Sequence, residues 1–316
     1  YLVSGGFFMG IWHHRWLHVV GGLCVGSSLV WEQSTPSERA GEPAESQIAQ
    51  VPDVPPSEAA LNRGLALIQQ GAVIDATAAF REAIALDPNS SAAHYNLGLV
   101  LRQTGELQEA ATAFWKALEA DPEFAMAYSN LGAALWEGGN LDQAQEYLER
   151  AILLQPDLCN AYYNLGLVQL DQQNYEAAIA SLQTAEEYTP NAPEPANHQA
   201  RIYLRQQNYD AAIAAFERAI AIFPQYVEAF YNLGVAQYGQ GDYNASLDSF
   251  RAATEFNPEY ANAYYSAGLS FIRLANYGEA EGVLEHAKNL YITQGNPQWA
   301  SNTQAQLDRA AELAGQ

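Results

Sequence analysis

Seven polar residues recur through the chain at one fixed interval: Asn62, Asn96, Asn130, Asn164, His198, Asn232 and Ser266 stand 34 residues apart. An asparagine amide both donates and accepts. A row of amides on one surface could therefore hold the N–H and C=O groups of an extended peptide with little regard for its side chains. In four units the preceding residue is a tyrosine: Tyr95, Tyr163, Tyr231 and Tyr265. Such rings would add rigid, amphipathic contact area of the kind that binding hot spots use. The fifth unit departs most, with His198, Arg201 and Arg205 in place of the neutral set. Together they predict a local positive patch that could take an acidic group of a partner. The structural alternative stays open beside this reading, because asparagines can bond to neighbouring helices and tyrosines can complete packing.

Other chemistry finds little support. The sequence contains no phosphate-binding glycine loop, HExxH pair, nucleophile elbow or CxxC pair. His94, His198 and His286 lie far apart without short-range Cys or His companions, so neither a metal nor another cofactor is expected. Acidic residues outnumber basic ones 36 to 14 and leave a net charge of −22. Their spacing follows exposed helix faces rather than paired acid–base groups. That balance also excludes nucleic acid as a natural partner, since phosphate contact needs Lys and Arg. Two cysteines, Cys24 and Cys159, cannot build a disulfide framework, and a bond between them is not expected. A hydrophobic share of 49% is nevertheless ample for a core.

The elements that would position the ladder repeat with the same period. Gly64, Gly98, Gly132, Gly166, Gly234 and Gly268 share one register, with Ala200 in the fifth unit. Alanine or serine recurs from Ala76 to Ala280, and alanine from Ala83 to Ala287. Between these registers stands a large apolar residue: Phe80, Phe114, Leu148, Leu182, Phe216, Phe250 or Leu284. Small residues let two helices approach and the large one fills the groove between them. Pro88, Pro122, Pro156, Pro190, Pro224 and Pro258 then stop the second helix.

These registers closely resemble the tetratricopeptide repeat family over seven units: 57–90, 91–124, 125–158, 159–192, 193–226, 227–260 and 261–294. The resemblance implies an all-α fold, an alpha-alpha superhelix of antiparallel helix pairs whose first helices line a concave side. It places the ladder inward, similar to the asparagine ladder of the repeat region of O-linked sugar transferases. The implied partner-binding set is Tyr95, Asn96, Asn130, Tyr163, Asn164, His198, Arg201, Arg205, Tyr231, Asn232 and Tyr265. Members that clamp a peptide carboxylate use several inward cations, whereas Lys116 and Lys288 here fall on second helices and Arg102 is the chief inward exception in the first three repeats, so a chaperone-adaptor role is not expected. Residues 295–316 are expected to form a C-terminal capping helix, with Asn296 as N-cap, Pro297 in the first turn, and Trp299, Thr303, Leu307, Ala310 and Leu313 on one stripe.

Before the repeats, residues 1–31 carry a single formal charge, Arg15, and residues 16–31 carry none. The stretch is short for a membrane span and long for a signal-peptide core, so an uncleaved anchor, a cleaved leader and a soluble segment all stay open. Met9 is the first methionine and the expected biological start. Residues 32–56 hold five prolines and read as a flexible linker. The chain is thus expected to be a non-catalytic scaffold outside the cytoplasm, membrane-anchored or exported, binding a protein or extended peptide. A regulatory subunit that positions an enzyme and a self-associating solenoid are the alternatives.

Overall fold

The computed structural model describes residues 54–315. Fifteen α-helices and no strands are found among them. The first helices of the successive units are α1 (Pro56–Gln69), α3 (Ser91–Gln103), α5 (Ala125–Glu137), α7 (Cys159–Asp171), α9 (Glu194–Arg205), α11 (Val227–Gln240) and α13 (Ala261–Arg273). Their partners are α2 (Val73–Leu86), α4 (Leu107–Ala120), α6 (Leu141–Leu154), α8 (Tyr175–Tyr188), α10 (Tyr209–Ile222), α12 (Tyr243–Phe256) and α14 (Tyr277–Thr293). A last helix, α15 (Pro297–Ala314), packs on α14.

Glycine sets the closeness of each pair. A Cβ on Gly98 would stand 2.6 Å from Phe114 Cε1, and one on Gly234 would stand equally close to Phe250 Cε1. The large residues of that register are fully buried, and each such side chain stabilises by about 1.5–3 kcal/mol. First helices of neighbouring units also touch one another directly, as α3 does α5, α5 does α7, and α11 does α13. No pair of second helices packs as closely, so the first helices form the inner side of the array.

The turn inside each unit needs a left-handed residue. Gly71, Gly105, Gly139 and Gly241 supply it without strain. At the same place in other units stand Gln173, Gln207 and Ala275, with φ of 63°, 59° and 58°. A side chain in that conformation costs about 1 kcal/mol.

The two ends of the array differ from its middle. Arg63 occupies the place that Leu97, Leu131, Leu165 and Leu233 fill elsewhere, and it is exposed and paired with Glu82. At the other end α15 buries Ala300, Thr303, Leu307 and Ala310 and shows a polar outer face. Asn296 precedes α15, but its side chain makes no capping hydrogen bond. The expectation that Cys24 and Cys159 are not bonded to one another involves Cys24, which lies outside the described residues. The expected anchor or leader at 1–31 also lies outside them. Among the described residues no helix is long and apolar enough to cross a membrane.

Candidate functional site

The ladder divides into engaged and open members. Asn130 Nδ2 donates to Tyr95 OH at 3.1 Å and to the Met126 carbonyl at 3.0 Å. Its Oδ1 accepts from Arg102 Nη1 at 3.1 Å, while Arg102 Nε and Nη2 both donate to Glu137 Oε1. The Arg102–Glu137 pair is nearly buried, with each side chain 10% exposed. One polar network therefore joins α3 to α5 on the inner side. Burial pushes the Tyr95 hydroxyl well above its ordinary range, against the opposing pull of Arg102.

The same coupling recurs two units on, and two units beyond that. The Tyr163 ring stands edge-on to His198 with centroids 5.7 Å apart. Tyr231 hydrogen-bonds Ser266, and burial pushes its hydroxyl up to about 12. In each case the tyrosine of one unit engages the ladder residue of the next. All four sequence-predicted tyrosines are buried: Tyr95 against Phe114 and Phe124, Tyr231 against Phe250 and Tyr260, and Tyr265 against Trp299. Their rings are chiefly packing surface between units, because each one fills the space where two units meet.

The third and fifth units have no tyrosine at that place; they carry Ser129 and Asn197 instead. The ladder residues that follow, Asn164 and Asn232, are half-buried and make no hydrogen bond to another described residue. Asn96 is fully buried, and its Nδ2 donates to the Ala92 carbonyl at 2.8 Å. Asn96 Oδ1, Ser129 Oγ, Asn160 Oδ1 and Asn197 Oδ1 are shielded without a hydrogen-bond partner among the described residues.

Arg201 and Arg205 lie on α9 between the two open asparagines. Arg201 is half-buried, and both it and Glu194 act electrostatically on Tyr226. Burial raises the Glu194 carboxyl above its ordinary range. Arg205 is exposed, with its guanidinium carbon 5.6 Å from the centre of the Tyr175 ring. Sequence reasoning missed Trp136, whose Nε1 donates to Asp171 Oδ2 at 2.7 Å and braces α5 against α7. It also missed Arg102 and Glu137 as a buried pair.

His94 is a packing residue, with its Nε2 3.0 Å from the Pro88 carbonyl. No three His, Cys, Asp or Glu side chains converge as a metal site among the described residues.

Tetratricopeptide-repeat models match residues 46–91, 61–125, 116–158, 129–194 and 227–260, and a TPR-repeat model matches 200–241. The chain belongs to the tetratricopeptide repeat family. No curated protein matches it significantly. Solved tetratricopeptide structures share the fold. PilF of Pseudomonas aeruginosa is 22% identical, with a TM-score of 0.58 over 66% of this chain and 94% of its own. The type IV pilus biogenesis factor PilW is 19% identical, with a TM-score of 0.60 over 65% of this chain and 94% of its own. YrrB, described as having an unusual peptide-binding site, is 24% identical, with a TM-score of 0.50 over 59% of this chain and 96% of its own.

Proposed function

We propose that this tetratricopeptide array is a non-catalytic scaffold that binds an extended segment of a partner protein along the inner side of its fourth to sixth repeats. One observation carries the reading. Asn164 and Asn232 present uncommitted amides two repeats apart, with Arg201 and Arg205 between them. An amide can bond both the N–H and the C=O of a passing backbone, and the arginines can take an acidic side chain. Asn130, His198 and Ser266 are each engaged by the tyrosine of the preceding unit, so the binding stretch is shorter than the ladder itself.

The location that accompanies this reading is outside the cytoplasm. The uncharged, largely apolar stretch of residues 16–31 supports it, because it has the composition of a leader or anchor segment. Work in the assembly of a membrane-associated or exported complex fits both features. The exposed, charged Arg63 and the polar outer face of α15 speak against an end-to-end self-associating solenoid.

Crosslinking in intact native cells followed by peptide mapping tests the reading. Crosslinks from the fourth to sixth repeats to one recurrent partner are expected, and they should be lost in the Asn164→Ala/Asn232→Ala protein at unchanged helicity. Undiminished partner capture by that variant would sink it.

A further inference from the structure

We propose that the inner groove takes an acidic segment and grips two of its carboxylates at matched arginine–tyrosine stations two repeats apart, Arg205 over Tyr175 and Arg273 over Tyr243. The inference rests on the groove reading above and gives the chemistry and spacing of the bound segment.

The repetition of the two stations is the first ground. Tyr175 and Tyr243 open α8 and α12, and Arg205 and Arg273 close α9 and α13, the first helices of the units that follow. The guanidinium carbons stand 5.6 and 5.0 Å from the ring centres. A guanidinium set over a ring keeps N–H donors around its edge, where a carboxylate can bond them in pairs. In the unit between, Gly239 takes the arginine's place, and a Cβ there would meet Tyr209 Cε1 at 2.4 Å. The intervening position is therefore neutral and covered by a ring. Earlier on the same register stand Glu137 and Asp171, so the groove changes sign along its length, and its fifth to seventh repeats are the part that suits an acid.

A second ground is the charge around Arg273. The Tyr238 hydroxyl lies within the fields of Arg273 and of Arg309 on the capping helix α15, and burial pushes it up against the pull of both. The Tyr238 and Tyr243 rings meet edge-on with centroids 5.2 Å apart, so two arginines and two tyrosines share one corner of the groove. Neither arginine makes an ion pair with a carboxylate among the described residues. The carboxylates adjoining this corner in sequence are turned to other groups: Asp242 accepts from the Ala245 N–H at 3.0 Å, and Asp308 accepts from Gln304 Nε2 at 2.8 Å. Unmatched guanidiniums on a chain of net charge −22 mark a spot where an acidic group is attracted rather than repelled.

Geometry then sets the spacing of the two acids. Packed neighbouring helices lie about 8–10 Å apart, so the two steps from α9 through α11 to α13 cover about 16–20 Å. An extended chain crosses that distance in about six residues. An even spacing also puts both acidic side chains on one side of the strand, with Asn232 on α11 midway between the stations to bond the backbone.

The test is fluorescence anisotropy with full-length protein and a labelled, amidated peptide of serine and threonine that carries two glutamates six residues apart. Binding is expected to weaken about tenfold in Arg273→Ala at unchanged helicity, and about as much when the glutamates are moved to three residues apart. Arg273→Lys should retain part of the affinity, because the charge stays. The closer-spaced peptide should be nearly indifferent to Arg273→Ala, since it occupies one station at a time. Equal affinity for the two spacings overturns the proposal. So does equal affinity for a peptide with lysines in place of the glutamates, or an Arg273→Ala protein that binds as the wild type does. Capture of the native partner that still depends on Asn164 and Asn232 after any of these results would leave the groove reading standing and remove only the acidic segment.

Discussion

Side chains of one type do two jobs along the inner face, and their neighbours decide which. Asn130 is held by Tyr95, Arg102 and the Met126 carbonyl. Asn130→Ala should therefore cost about 1–3 kcal/mol of stability in urea unfolding, since it strands buried partners. Asn164→Ala and Asn232→Ala should each shift stability by less than about 0.5 kcal/mol while weakening partner binding. Equal destabilisation by all three would show that the division is wrong. The buried tyrosines set an alkaline limit. Tyr231 ionises at about 12 in the folded chain, above the unfolded value of 10.0, so its contribution is complete below pH 10 and is lost as pH rises through 12. Circular dichroism beside tyrosinate absorbance should show unfolding in that window, while a fold intact at pH 12 with ionised tyrosines would contradict the assignment.

Among the elements, the glycine, alanine, phenylalanine and proline registers were legible because each acts within one unit and so repeats every 34 residues. Contacts between first helices obey a different offset. Arg102–Glu137, Tyr95–Asn130 and Trp136–Asp171 are all 35 residues apart, one repeat plus one. A search for complementary pairs at that offset would have found them, whereas reading down a single register hides them. The tyrosines were legible as a series, with packing left open beside binding, because their burial depends on how successive units rotate. At the N-terminal end, Arg63→Leu restores the residue type that interior repeats bury against the preceding unit. Concentration-dependent association in sedimentation velocity is the expected result. A variant that stays monomeric at high concentration would show that Arg63 is no guard.

Across the whole molecule, cohesion is uneven. Gln199 sits where most repeats place leucine and is only 1% exposed. It donates to Glu186 at 2.8 Å and accepts from Arg218 at 3.1 Å, so the seam between the fourth and fifth repeats is polar. An array held by nearest-neighbour interfaces should open first where apolar contact is least. Amide hydrogen exchange is expected to run about tenfold faster in α9 than in α5 or α11, a difference of about 1.4 kcal/mol. Uniform protection along the array would refute this. The left-handed turns carry a separate consequence for how far the protein could be hardened. Ala275 holds a conformation suited to glycine. Ala275→Gly should raise stability by about 0.5–1 kcal/mol in thermal melts, with no change expected on the inner face. Gln173 and Gln207 offer the same relief, so heat tolerance in this scaffold has an untapped reserve that selection for binding need never have touched.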